Sequence, residues 1–194
     1  MNRYFLLIFT LFLVACSNKE QKAYIPEVKK GPIVKTTNSS LFNQSFDRIL
    51  SNYYLLKDHF VTENILEIDK DAKLFLISID SLHLSDLKAD TNIIATAQTY
   101  TLGLSSEIKG LLGEKELEAK RKAFQMISDQ LYDLIRTIQY NGATIFHLYC
   151  ADVFDGQGAY WLNETKDNNN PYLPTKKPNC GSIKDSIYYN PVIK

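Results

Sequence analysis

Apolar residues recur at three- and four-residue spacing through four consecutive stretches of this chain, and that periodicity points to a helical bundle. The first stripe runs Leu41, Phe42, Phe46, Ile49, Leu50, Tyr53, Leu56, Phe60. Asn38, Ser39 and Ser40 precede it as candidate N-caps, whose side-chain oxygens accept orphan backbone N–H groups. A second stripe, from about Asn64 to Leu84, sets Ile65, Ile68, Ala72, Phe75, Leu76 and Ile79 on one face, with Thr62 or Asn64 at its start. The third, from about Thr91 to Leu111, carries Ile93, Ile94, Ala97, Tyr100, Leu104 and Ile108 and is interrupted by Gly103 and several threonines. Gly110 and Gly113 then punctuate a turn. Beyond Glu114, Leu117, Phe124, Ile127, Leu131, Leu134, Ile135 and Ile138 restore the helical period. Glu114, Glu116 and Glu118 at the start of this fourth segment and Arg136 in its last turns agree with the helix macrodipole.

After Asn141-Gly142 the period changes. Ala143 to Cys150 and Ala159 to Leu162 are rich in β-branched and aromatic residues and predict strands. Asp155-Gly156-Gln157-Gly158 between them tolerates positive φ, as a short hairpin requires. Asn168 to Asn170, Pro171, Pro174, Pro178 and Gly181 make the stretch up to Ser182 an irregular layer. The expected fold is mainly α: an antiparallel bundle of about four helices, with a short β hairpin and an irregular C-terminal cap.

The N-terminus has a different grammar. Arg3 precedes an uncharged run from Tyr4 to Ala15, which stops at Leu13-Val14-Ala15-Cys16. A dozen or so apolar residues fall short of the roughly twenty that span a bilayer as a helix, so the run reads as a signal peptide removed before Cys16. Residues 1–15 are then a lipoprotein signal peptide. Lipid on Cys16 supplies the two or more acyl chains that stable anchoring needs, and residues 16–39, polar with Pro26, Gly31 and Pro32, form a tether. Residues 40–194 are expected to form one domain. Removing the leader leaves about 180 residues, enough for a core that folds without staples. This places the protein in the bacterial cell envelope, on the periplasmic side or at the cell surface, with the membrane as a partner through its lipid.

Lysine and arginine total 22, balanced by 22 aspartates and glutamates, and no basic block stands out. Nucleic acid is therefore not an expected partner. No Ser/His/Asp set, His-Glu-x-x-His run or phosphate-binding loop can be found. Asp152 and Asp155 around Phe154 suit a tight turn better than acid–base chemistry. A non-enzymatic chain is expected, with no cofactor.

Cys150 and Cys180 remain once Cys16 is spent on lipid. In an oxidising compartment such a pair invites a disulfide, and closing a loop of about thirty residues is worth roughly 3–4 kcal/mol in the chain-entropy account. The competing reading is a soft-metal site holding copper or zinc through two thiolates, with His147 as a weak further ligand. Free or redox-active thiols are a third state. In an extended strand, residues three apart point to opposite faces, so His147 and Cys150 share a metal only if the strand bends or ends between them. His59 and His83 lie on separate predicted helices and are not expected to be ligands.

The C-terminal half resembles a known family. Arg121, Phe124 and Ser128 on the fourth helix, then Tyr149-Cys150, Phe154-Asp155, Gly158-Ala159-Tyr160-Trp161-Leu162, Asn170-Pro171-Tyr172 and Cys180-Gly181, are similar to exported bacterial domains of domain-of-unknown-function family three-three-four-seven. The resemblance spans roughly Leu41 to Ile183, with Tyr149 to Gly181 its specific part. It implies a helical bundle with a cysteine-bearing C-terminal region, found in lipoproteins and beside or fused to periplasmic adaptors of copper and silver efflux, so an efflux component is an implied partner. In the family pattern the first cysteine is followed by Pro-Met and the second preceded three residues earlier by methionine. Here Ala151, Asp152 and Lys177 occupy those positions, and the thioethers that favour Cu(I) are missing. The functional expectation is a membrane-anchored, non-enzymatic interaction or binding module, with heavy-metal homeostasis through the two cysteines as the alternative.

Overall fold

The structure is a computed structural model that describes residues 38–189. The signal peptide, Cys16 and all of the tether but its last two residues lie outside the described residues. Four helices come first: α1 (Ser40–Val61), α2 (Ile65–Asp80), α3 (Thr91–Gly113) and α4 (Leu117–Ile138), with one 3-10 turn at Leu84–Asp86. Three strands follow: β1 (Ile145–Cys150), β2 (Ala159–Asn163) and β3 (Ser182–Ile187). This is the mainly α bundle that the periodicity predicts. No helix among the described residues is long and apolar enough to cross a membrane.

Three of the four α-helices begin where a side chain holds their first N–H groups. The Ser39 hydroxyl accepts from the backbone N–H of Phe42 at 3.1 Å, Asn64 accepts from Glu67 at 3.3 Å, and Asp90 accepts from Asn92 and Ile93. Only α4 starts without a side-chain cap, at Glu116, and it ends with Gln139 in the left-handed region. Consecutive helices pack on one another, α1 on α2, α2 on α3 and α3 on α4. Their apolar stripes meet in a fully buried core that includes Phe46, Tyr53, Phe60, Phe75 and Phe124. The Tyr53 and Phe124 rings stack at 5.3 Å, with Phe60 4.7 Å from Phe124.

The strands form one antiparallel sheet in the order β2-β1-β3. The predicted hairpin is its first half, paired from Cys150↔Ala159 to Phe146↔Asn163. Its loop takes positive φ at Phe154, Asp155, Gly156 and Gly158. Gly158 is required on a second ground, because a Cβ there would collide with the Tyr149 hydroxyl. The first strand starts at Ile145 rather than Ala143. β3 departs from the sequence reading, which places no strand there: only Ile187 of its six residues is buried, so this solvated edge strand lacks the half-buried alternation by which strands are read.

One tyrosine ties sheet to bundle. The Tyr53 hydroxyl lies 2.8 Å from Ser128 Oγ on α4 and accepts the backbone N–H of Leu162 on β2 at 3.0 Å. Ser128 donates in turn to the Phe124 carbonyl. Burial pushes the Tyr53 phenol well above its ordinary range, so it stays protonated and keeps its donor.

Candidate binding groove

Half of α4 faces the core, and the other half forms one wall of a groove. Glu118, Lys122, Gln125, Asp129 and Asp133 fall at three- and four-residue spacing along that outer face, and Met126 beside them is 47% exposed. The facing wall comes from the β1–β2 loop, the sheet and the tail. The groove has two chambers. The larger, about 700 Å³, lies between the first half of α4 and Asp152, Phe154, Leu173 and Lys177. The smaller, about 410 Å³, lies between Asp129, Tyr132 and Asp133 on α4 and His147, Tyr149 and Tyr160 on the sheet. Gln125 and Gln157 line both chambers, which sets them side by side.

The tail that walls the larger chamber has no helix or strand between residues 164 and 181, as expected, yet it is closely fastened. Cys150 and Cys180 form a disulfide with their Cα atoms 5.3 Å apart. The buried Asn170 side chain donates to the Cys180 carbonyl and accepts the N–H groups of Tyr172 and Leu173. Arg121, reaching out from α4, donates to the Pro171 carbonyl at 3.1 Å and pairs with Glu63 at 2.8 Å. The Tyr172 hydroxyl donates to the Tyr160 carbonyl at 2.6 Å. Backbone groups that no sheet satisfies are thus satisfied by side chains.

His147 is not among the donors that converge at the cysteines. Its ring is sandwiched between Tyr132 at 3.8 Å and Tyr160 at 4.5 Å, and Tyr149 lies a further 4.5 Å beyond Tyr160. Arg136 sits over the Tyr132 ring and Lys184 over the Tyr149 ring, so the four-ring column carries a cation at each end. Burial between the rings pushes the imidazole down to about 4, so it is neutral at physiological pH. Burial, reinforced by Asp133 one turn away, pushes the Asp129 carboxyl up to about 6.

Of the residues singled out from sequence, the fold joins Cys150 to Cys180, and with the sulfurs bonded to each other neither is a thiolate ligand in this state. Their donor atoms and that of Asp152 lie within 4.8 Å of one another, although Asp152 is engaged by Lys177 at 2.5 Å. His59, expected to be unremarkable as a ligand, lies 2.5 Å from the buried Asp71 carboxylate, with Glu67 close by. That arrangement has an ordinary explanation, since Glu67 lies in the first turn of α2 behind the Asn64 cap and the buried Asp71 carboxylate is satisfied by His59. His83 caps the 3-10 turn without a side-chain bond. Asp155 stands in the turn assigned to it. Asp129 and Asp133 were missed, because polar residues on a helix's outer face read as solvated. Their only signal was a like-charged pair at four-residue spacing.

A family model described as protein of unknown function (DUF3347) matches residues 49–142. That stretch belongs to the DUF3347 family. It contains most of α1, all of α2, α3 and α4, and with them Arg121, Phe124 and Ser128. The segment from Tyr149 to Gly181, the specific part of the resemblance, lies outside the DUF3347 match. No curated protein and no solved structure matches the chain.

Proposed function

We propose that this chain is a lipoprotein of the bacterial cell envelope, anchored through Cys16, that works without catalysis as a binding module whose contact surface is the groove along α4. The observation that carries this reading is the Cys150–Cys180 bond, which fixes the wall of the groove and needs the oxidising surroundings that the leader implies. A cleft whose walls are already ordered loses less conformational entropy on binding than one that must form around its ligand. The test is fractionation of cells making the full chain beside its Cys16→Ser variant. The chain is expected in the membrane pellet, resistant to salt, and the variant in the soluble fraction; equal distribution of the two would reject the anchor.

A second reading is favoured by the convergence of Cys150, Asp152 and Cys180. Once reduced, these donors suit copper or zinc in a heavy-metal accessory beside an efflux system. Native mass spectrometry of protein released without reductant or chelator decides between the two. A mass two hydrogens below the reduced chain with no metal supports the binding module. One bound copper or zinc lost in Cys150→Ser or Cys180→Ser supports the metal reading.

A further inference from the structure

The smaller chamber of the groove combines three arrangements that cost stability and that packing alone does not account for. Asp129 is half-buried and has no ion-pair partner among the described residues. Asp133, a like charge one turn along the same helix, faces the same space. His147, only 6% exposed, lines that space too, and its Nε2 is buried with no hydrogen-bond partner among the described residues. Buried polar groups are normally satisfied, and an exception calls for a cause. The nearest cation on α4, Arg136, is turned onto the Tyr132 ring at 5.3 Å, and Lys122 belongs to the other chamber.

We infer that this chamber is a binding site for an organic cation, an alkylguanidinium or alkylammonium group, received by the Asp129 and Asp133 carboxylates with the unpartnered nitrogen of His147. The inference rests on the groove being the binding surface. Two carboxylates and a neutral imidazole offer negative charge and lone pairs, so the missing component is a positively charged hydrogen-bond donor. A single metal ion does not fit that description. Among the described residues the groups of three whose donor atoms converge within 4.8 Å are Cys150 with Asp152 and Cys180, and His59 with Glu67 and Asp71. Asp129, Asp133 and His147 are too dispersed to be one of them. A guanidinium presents five N–H donors in a planar fork and an ammonium three, which lets one group reach acceptors that one ion cannot. The chamber's volume of about 410 Å³ lies in the range of small-ligand sites. Both faces of the His147 ring are already covered, so recognition comes from carboxylates and ring edges rather than from an open aromatic cage.

The experiment is calorimetric titration of the full-length oxidised protein in detergent micelles with three probes: butylguanidinium, butylammonium and a capped Gly-Gly-Arg-Gly-Gly peptide. Saturable binding of at least one probe is expected, weakened about tenfold or more in Asp129→Asn and in Asp133→Asn, while Lys109→Gln, exposed on α3 and outside the groove, leaves it unchanged. Tighter binding of the peptide than of the free cations identifies a side chain of a protein partner as the source, and the reverse identifies a free amine. Either result supports the site. Absence of saturable binding, binding indifferent to both aspartate variants, or displacement of the probes by equimolar zinc overturns it. A photocrosslinking residue at Met126 separates the two levels of the argument: specific adducts in intact cells with no probe binding would keep the groove and discard the cation. Adducts obtained only from exposed Leu66 on α2 would discard the groove as the contact surface.

Discussion

The four helices and the C-terminal sheet with its tail are held together in different ways. In the bundle, cohesion is spread over many interchangeable apolar contacts: Phe46, Ile49, Ile68, Ala72, Leu104, Ile127 and Leu131 are each completely buried. No single one of them is the reason the helices associate. Beyond Asn163 the chain has few such contacts and relies on particular fastenings, among them the disulfide, Arg121, Asn168, Asn170 and the Tyr172 hydroxyl. Distributed burial tolerates substitution, whereas discrete fastenings fail one at a time and locally. The groove lies on the boundary between these regimes, with one rigid helical wall and one fastened wall.

The sharpest way to break that contrast is to remove the disulfide. Cys150 and Cys180 are 30 residues apart, and replacing both with serine should cost about 3–4 kcal/mol. Hydrogen exchange should locate the damage. Amides between residues 164 and 187 are expected to lose protection first, while those in α1 to α4 still open only with global unfolding. Equal loss of protection in the helices and the tail would mean that the two regions are one cooperative unit.

Acidification probes the sheet side of the boundary. The His147 imidazole is depressed from its ordinary 6.5 to about 4, so the folded state resists a proton that the unfolded chain accepts. Stability is therefore intact above about pH 6.5 and is lost as pH falls toward 4, by about 3 kcal/mol at the low end. The groups around the ring are Tyr132, Arg136, Asp129 and Asp133 from α4, Tyr160 from β2 and Asp185 from β3. Asp129 acts in the opposite sense, because its raised carboxyl takes up a proton more readily in the folded state through the same window. Urea unfolding between pH 7 and pH 4 should show the net loss, and His147→Phe should remove the histidine's share. An unchanged slope in that variant would place the acid sensitivity elsewhere.

Tyr53→Phe tests the link between the two regions. The substitution keeps the ring in its stack on Phe124 but leaves the buried Leu162 N–H without its acceptor and Ser128 without its neighbour. The expected cost is about 1–3 kcal/mol, read from the urea midpoint, with exchange increasing at β2 before α1. A change below about 0.5 kcal/mol would mean that the hydroxyl is dispensable to the docking of sheet on bundle.

The same contrast explains what could be read in advance. A helix that buries one face writes that fact into its sequence every three or four residues, and its caps are local, so Ser39 and Asn64 were legible with their helices. The cysteine pair was legible as a candidate disulfide beside a metal site and free thiols, because Cys150 and Cys180 are the two that remain once Cys16 is set aside. β3 was not legible, since one buried isoleucine makes no pattern. Nor was the column around His147, whose meaning depends on Tyr132 from α4 and Tyr160 from β2 and not on its own neighbours. The tail was read as irregular because proline and asparagine punctuate it. Its order comes from where Arg121 and Asn170 reach in three dimensions, which no local pattern records.

The smallest effect expected is a gain. Asp129 holds its charge in a half-buried setting beside Asp133, and the rise of its carboxyl to about 6 measures how poorly the fold accommodates that charge. At pH 7 the group is ionised in both states, so the folded protein bears the cost. Asp129→Asn keeps the shape and removes the charge, and should stabilise the protein at pH 7 by about 1 kcal/mol once solvent screening is allowed for. The gain should fade as pH falls through 6, where the native carboxyl takes up its proton, and this can be followed by urea unfolding at several pH values. A stabilised variant that no longer binds cations would identify the carboxylate as a group retained at the expense of stability, as binding and catalytic groups often are. A variant less stable at pH 7 would mean that Asp129 is favourably solvated in the fold, and the strain that motivates the cation site would be gone.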